Sequence, residues 1–145
     1  MKNRVAVLHG INLDALERRP AAHYGGLTFT ALEQRIGGYA HELGLEPVFF
    51  QSNCEGEFVE ELHRTPDYAD GIVLNPGAWT HYAWSLRDAL EISGLPAIEV
   101  HLSDVDAREP FRHLSVLEDV RAGRVSGRGP EGYRDALSLL KEVLT

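Results

Sequence analysis

Four short, mainly apolar runs constrain the fold of this chain more than any other feature: VAVLH (5 to 9), PVFFQ (47 to 51), GIVLN (71 to 75) and AIEVH (97 to 101). A strand with one wet face alternates apolar and polar residues, whereas a strand covered on both faces, as VAVLH reads, is a continuous apolar run. Helical periodicity fills the intervals. Thr30-Ala-Leu-Glu33 has the pattern of a capping box, Leu32, Ile36, Ala40 and Leu43 fall on one stripe, and Gly44 is a stop. Phe58 and Leu62 mark a second helix. Ala83, Leu86 and Leu90 mark a third, ended by Gly94 and Pro96. After a weaker fifth strand in GRVSG (123 to 127), Gly129-Pro130 opens a last helix with Tyr133, Leu137, Leu140 and Leu144 on one face.

Strands alternating with helices of this length predict an α/β fold with a parallel sheet and helices on both faces. Five such units fit a flavodoxin-like three-layer sandwich with strand order 2-1-3-4-5. The length of 145 residues suits one compact domain spanning 1–145, and no repeat or linker divides it. In that order ligands bind outside the carboxyl ends of the strands, at the switch point between strands one and three. Polar residues gather in the matching loops: GINLD after strand one, NPGAWTH after strand three, HLSDVDAREPFRHLS after strand four. The loop after strand two, SNCEGE, is less specialised in polar chemistry.

Fourteen Lys and Arg against twenty-two Asp and Glu leave a formal charge of −8, which argues against a nucleic-acid binder. Cys54 is the single cysteine, so neither an intrachain disulfide nor a Cys-based zinc site is expected. MKNRVAVLHG holds five apolar residues before His9, too few for a signal-peptide core. No run approaches the roughly 20 apolar residues of a membrane helix, so a cytoplasmic location and no membrane partner are expected.

Glu99 and His101 are two apart on a strand, so their side chains leave the same face. A carboxylate beside an imidazole orients it and raises its basicity, the arrangement of a general acid; the pair is equally compatible with a coincidence at a strand end. His81 and His101 lack a diagnostic metal-ligand spacing. Asn75 is a good turn residue, and His81 suits a helix cap as well as a site. Arg108 and Arg112, four apart, would align on a helix and suit either solvent or an anionic substrate. ERRPAAHYGG (17 to 26) places arginines before Tyr24, Gly25 and Gly26. A free phenol has a pKa near about 10, and an arginine within about 4–6 Å lowers a pKa by roughly 1–3 units. Tyr24 is therefore either an ionisable base on a loop that two glycines let move, or a ring that packs to hold the loop.

Taken together, GINLDALERRPAAHYGG, QSNCEGE, LNPGAWTH, SLRDAL and IEVHLSDVDAREPFRHLS resemble type II 3-dehydroquinate dehydratase nearly end to end, finishing with GRVSGRGPEGYRDAL. The resemblance implies loss of water from 3-dehydroquinate to give 3-dehydroshikimate, with no cofactor. It assigns Tyr24 as the base, Arg19 as the residue that favours its phenolate, and Asn12 as the group that steadies the enolate through a water. His101 becomes the acid, oriented by Glu99. Asn75, His81 and Arg112 match residues that hold substrate hydroxyls, and Leu102 and Ser103 match donors to its carboxylate. Asp88 matches a residue delivered across a subunit boundary, and Arg108 sits in the mobile lid. The family's trimers assemble into a dodecamer, so a homo-oligomer is expected.

The first loop departs from the pattern. Asn-Gly-Pro-Asn is usual, and here it reads His9-Gly10-Ile11-Asn12, which loses a fixed φ. His9 adds an ionisable group on the enolate side or fills space at the strand end, and Asp14 adds a negative charge near the lid. These changes motivate one alternative, a diverged member acting on a related cyclic polyhydroxy acid or retained mainly for its assembly; a separate alternative is a flavodoxin-like binding module without catalysis. HGINLD is not a flavin-phosphate loop, and Asn75 stands where a phosphate receiver needs an aspartate.

Overall fold

The computed structural model describes residues 2–145. Five strands, β1 (Arg4–His9), β2 (Glu46–Gln51), β3 (Gly71–Asn75), β4 (Ala97–His101) and β5 (Gly123–Ser126), form one parallel sheet in the order β2-β1-β3-β4-β5. The helices are α1 (Ala21–Tyr24), α2 (Phe29–Glu42), α3 (Glu55–Arg64), α4 (Trp84–Ser93) and α5 (Glu131–Leu144). The order and the expected α/β fold agree, because the three central strands carry the densest apolar sequence. β3 and β4 are buried at every position, and in β1 only Arg4 is exposed. Edge strands β2 and β5 are only partly covered.

Alternation along each strand divides the core into two layers. Val5, Val7, Val73, Ile98 and Val100 pack under α2 and α5, meeting Leu32, Ile36, Tyr133 and Leu137. Ala6, Leu8, Ile72, Leu74 and Ala97 face α3 and α4, meeting Phe58, Leu62, Leu86 and Leu90. The helical stripes expected from sequence are buried except at their ends, where Leu43 and Leu144 are only partly covered. One boundary differs: α2 is capped by Thr28, whose Oγ1 accepts from Ala31 N at 3.1 Å, so Thr30 lies inside the helix rather than at its cap. Thr28 is itself followed three residues on by a free backbone N–H, and that bond, not the Thr30–Glu33 spacing, sets the start.

The loops after β1 and β3 lie against each other where the strand order reverses. Gly10 N donates to Asn75 O at 2.7 Å, and a Cβ at Gly10 would stand 2.4 Å from Pro76 O. Only glycine lets the two backbones meet, and this contact sets the rim on which the polar loops converge. We therefore expect Gly10→Ala to be overpacked against backbone that cannot give, costing about 1–3 kcal/mol. Urea unfolding of the variant reads this directly; an unchanged midpoint would show that the rim relaxes freely.

Candidate active site

A cavity of about 290 Å³ opens at the carboxyl ends of β1, β3 and β4. On one side stands Tyr24, the last residue of α1, which ends because Gly25 adopts a left-handed φ of 84°. Arg19 Nη2 donates to Tyr24 Oη at 2.5 Å, with its guanidinium carbon 4.3 Å from the ring centroid. Arg108 Nη1 donates to the same oxygen at 2.6 Å and to Ser103 Oγ at 3.3 Å. One phenol oxygen thus receives two cationic donors, an environment that suits an oxyanion. Arg18 is exposed and takes no part.

The other side carries His101, whose Nε2 lies 2.5 Å from Glu99 Oε2. Glu99 is completely buried yet fully partnered. Oε2 also accepts from Thr80 Oγ1, while Oε1 accepts from Ser115 Oγ at 2.8 Å and from Arg121 Nη1 at 2.6 Å. Burial pushes the carboxyl up, but the bonds and charge of His101, with Thr80 and Arg121, outweigh it and hold the group down to about 2. With Glu99 ionised, His101 Nε2 carries a proton and Nδ1 is the nitrogen left for a ligand.

His81 Nδ1 donates to Leu114 O at 2.7 Å, leaving its Nε2 as an acceptor. Burial lowers its pKa against the opposing pull of that carbonyl, and the charges of His101 and Arg112 add to the lowering while Glu99 opposes it, so the neutral ring is favoured. The His81 and His101 rings stack with centroids 6.4 Å apart. Asn75 is held as a turn residue and as a site residue at once: Oδ1 accepts from Gly77 N at 3.0 Å, and Nδ2 donates to Tyr133 Oη at 3.4 Å. Leu102, Ser103 and Arg112 also line the cavity, and Arg112 Nε donates to Glu109 Oε2 at 2.8 Å.

Asn12 also lines the cavity and is the one described residue other than glycine with a positive φ, 71°. Asparagine tolerates that region, and Asn53 fixes it: Oδ1 accepts from Asn12 N at 2.8 Å while Nδ2 donates to the Asp14 carboxylate at 3.1 Å. The loop after β2, read as chemically plain, therefore clamps the first loop. His9 is fully buried away from the cavity, with Phe29, Phe49 and Tyr133 around its ring and Glu33 Oε2 at 3.3 Å from Nε2. It fills space at the strand end.

Of the twelve expected site residues, eleven converge here: ten face the cavity or Tyr24, and Glu99 stands behind His101. Asp88 does not. It sits on α4 with its side chain 71% exposed, 3.6 Å from Arg87. The helical alignment expected of Arg108 and Arg112 is also absent, since Arg108 is extended and Arg112 lies in the short turn Pro110–His113; both reach the site along an irregular loop. Thr80, Ser115 and Arg121 were not foreseen, because nothing in a one-dimensional pattern ties residue 121 to the face of β4. Among the described residues, no three His, Cys, Asp or Glu side chains are grouped to hold a metal ion, and no helix is long and apolar enough to cross a membrane.

Residues 3–141 match the family model for dehydroquinase class II. This chain belongs to the class II dehydroquinase family. It is 49% identical to 3-dehydroquinate dehydratase 2 of Pseudomonas putida over 144 residues, covering 99% of this chain and 97% of that protein. It is 48% identical to the 3-dehydroquinate dehydratase of Bacillus licheniformis over 92% of each chain. The crystal structure of the type II dehydroquinase from Butyrivibrio crossotus superposes with a TM-score of 0.92 at 39% identity, covering 97% of this chain and 98% of that one.

The Glu99 network carries a pH signature. A carboxyl held at about 2 in the fold against an ordinary 4.5 contributes stability that is fully present above 4.5 and is lost as pH falls towards 2. The stability advantage of the wild type over Glu99→Gln should accordingly shrink as urea unfolding is repeated from neutral pH down through that window. A gap independent of pH would mean that the carboxylate charge does not contribute.

Proposed function

We propose that this chain is a hydro-lyase that dehydrates 3-dehydroquinate to 3-dehydroshikimate, in aromatic biosynthesis or in quinate use. The observation that carries the reading is one cavity flanked by two proton-transfer groups: a phenol oxygen under two guanidiniums and an imidazole backed by a buried carboxylate. In the anionic form, Tyr24 takes a proton from the carbon beside the substrate ketone. The electron pair moves into an enolate, which Asn12 steadies through a water. The carbon–oxygen bond on the far carbon then breaks, and His101, protonated at Nδ1, delivers its proton to the departing hydroxyl, giving water and the conjugated enone. Both proton transfers need a group poised within reach, and each typically contributes about 10²–10⁴-fold.

Asn75 and His81 Nε2 hold ring hydroxyls, and Arg112 adds a cation to the same wall. Ser103, with Leu102 backbone, takes the carboxylate. Arg19, Arg108 and Arg112 give this acidic chain a locally positive pocket, which draws an anionic substrate in. His9 is packed among aromatic rings and Asp14 is bound by Asn53, and neither lines the cavity, which supports the family substrate over a related acid. The whole chain acts as one domain. Asp88, exposed on α4, reaches the site of a neighbouring copy in an oligomer built from trimers.

Ultraviolet absorbance of the enone tests the assignment. Tyr24→Phe and His101→Ala should each lower kcat by about 10²–10⁴ while the fold is kept. Robust turnover in either would remove that residue from its role, and none in the wild type would mean a different substrate. Arg19→Ala should depress kcat far more than it raises KM; the reverse would make Arg19 a binding residue only.

A further inference from the structure

Arg121 belongs to none of the groups that face the cavity, yet it is bound to one of the most deeply buried charges in the described chain. It lies in the segment leading into β5, and its Nη1 donates to Glu99 Oε1 at 2.6 Å. Its side chain is only 14% exposed and Glu99 is not exposed at all, so water screens this pair little. The two carboxylate oxygens are divided between partners. Arg121 and Ser115 occupy Oε1, which leaves Oε2 to His101 and Thr80.

We propose that Arg121 is a positioning residue that sets the acid strength of His101 by sharing the Glu99 carboxylate. The inference rests on His101 being the acid of the reaction. With Arg121 present, the His101–Glu99–Arg121 set is neutral when the imidazole is neutral and carries +1 when it is protonated. Without Arg121 the same two states carry −1 and zero. The guanidinium therefore weakens the hold of Glu99 on the imidazolium, and a proton held less tightly is given up more readily to a departing hydroxyl.

The other charges facing His101 do not substitute for it. His81, stacked against the ring from the turn after β3, is neutral, and Arg112 comes from the loop after β4 and is tied to Glu109. Arg124, beside Glu99 in the β4–β5 register, turns out to Asp106 at 2.9 Å. Across the cavity, Arg19 and Arg108 are spent on Tyr24. Arg121 is the cation in contact with Glu99 itself.

The test is a titration of the His101 imidazole by nuclear magnetic resonance in wild type, Arg121→Met and Arg121→Lys, with kcat followed against pH in the same proteins. The geometry predicts that Arg121→Met raises the His101 titration by about one pH unit, moves the matching limb of the kcat profile the same way and lowers kcat about tenfold. Arg121→Lys, which keeps the charge, should return most of the shift. A His101 titration that does not move in Arg121→Met, with only the melting temperature lowered, would show a structural strut and overturn the proposal. If the titration shifts but the kcat profile stays in place, the electrostatic link holds and it is the acid role of His101 that falls. Should Arg121→Met fail to fold, Arg121→Gln, which removes the charge and keeps a hydrogen-bond donor, takes its place: a raised His101 titration upholds the charge-based role, and an unmoved one overturns it.

Discussion

Two guanidinium groups converging on one phenol oxygen are the contact on which the proposed chemistry of this protein depends. A tyrosine hydroxyl is ordinarily too weak a base for a carbon acid, and only a fixed cationic setting changes that. Arg19 comes from the segment just before Tyr24, but Arg108 comes from the loop after β4, 84 residues away in sequence. The strand order brings them together. β1 and β4 flank β3 in the sheet, so the loops that follow them rise on the same rim. The close backbone approach at Gly10 and Pro76 settles where that rim lies.

The opposite wall solves a different problem. An imidazole in the proposed role of proton donor is oriented by a carboxylate, and a buried carboxylate is costly unless its oxygens are satisfied. Glu99 has four partners, one of them a cation, so it remains ionised under full burial. The two walls are thus built from like materials used in opposite senses: cations gathered on the Tyr24 oxygen, an anion placed behind the His101 ring. An overall charge of −8 conceals a basic pocket, because Arg19, Arg108 and Arg112 meet at the cavity and Tyr24.

Much of this was legible in the chain. The apolar runs of β1, β3 and β4 and the stripes of α2 and α5 mark elements whose burial is dictated by period, and the Glu99–His101 spacing puts both on one face by strand geometry alone. The strand order, though it pairs distant segments, was foreseen; what escaped were individual side-chain pairings between distant loops. Asn53 clamping Asn12 and Asp14 joins loops 39 and more residues apart, and Arg121 reaches a strand 22 residues earlier. The start of α2 at Thr28 rather than Thr30 escaped for a local reason: two threonines two residues apart offer rival caps, and which one finds a free N–H is settled by the entry angle of the chain. His9 shows the converse. As an ionisable residue in a polar loop it suggested chemistry, and the structure buries it among aromatic rings.

Hydrogen exchange at the carbon beside the ketone probes the division of labour between the two walls most directly. 3-Dehydroquinate in deuterated water, followed by nuclear magnetic resonance, reports proton abstraction separately from loss of the hydroxyl. The account predicts that His101→Ala still exchanges that hydrogen while forming almost no enone, and that Tyr24→Phe does neither. Undiminished exchange in Tyr24→Phe would contradict it, because the phenol would then not be the base.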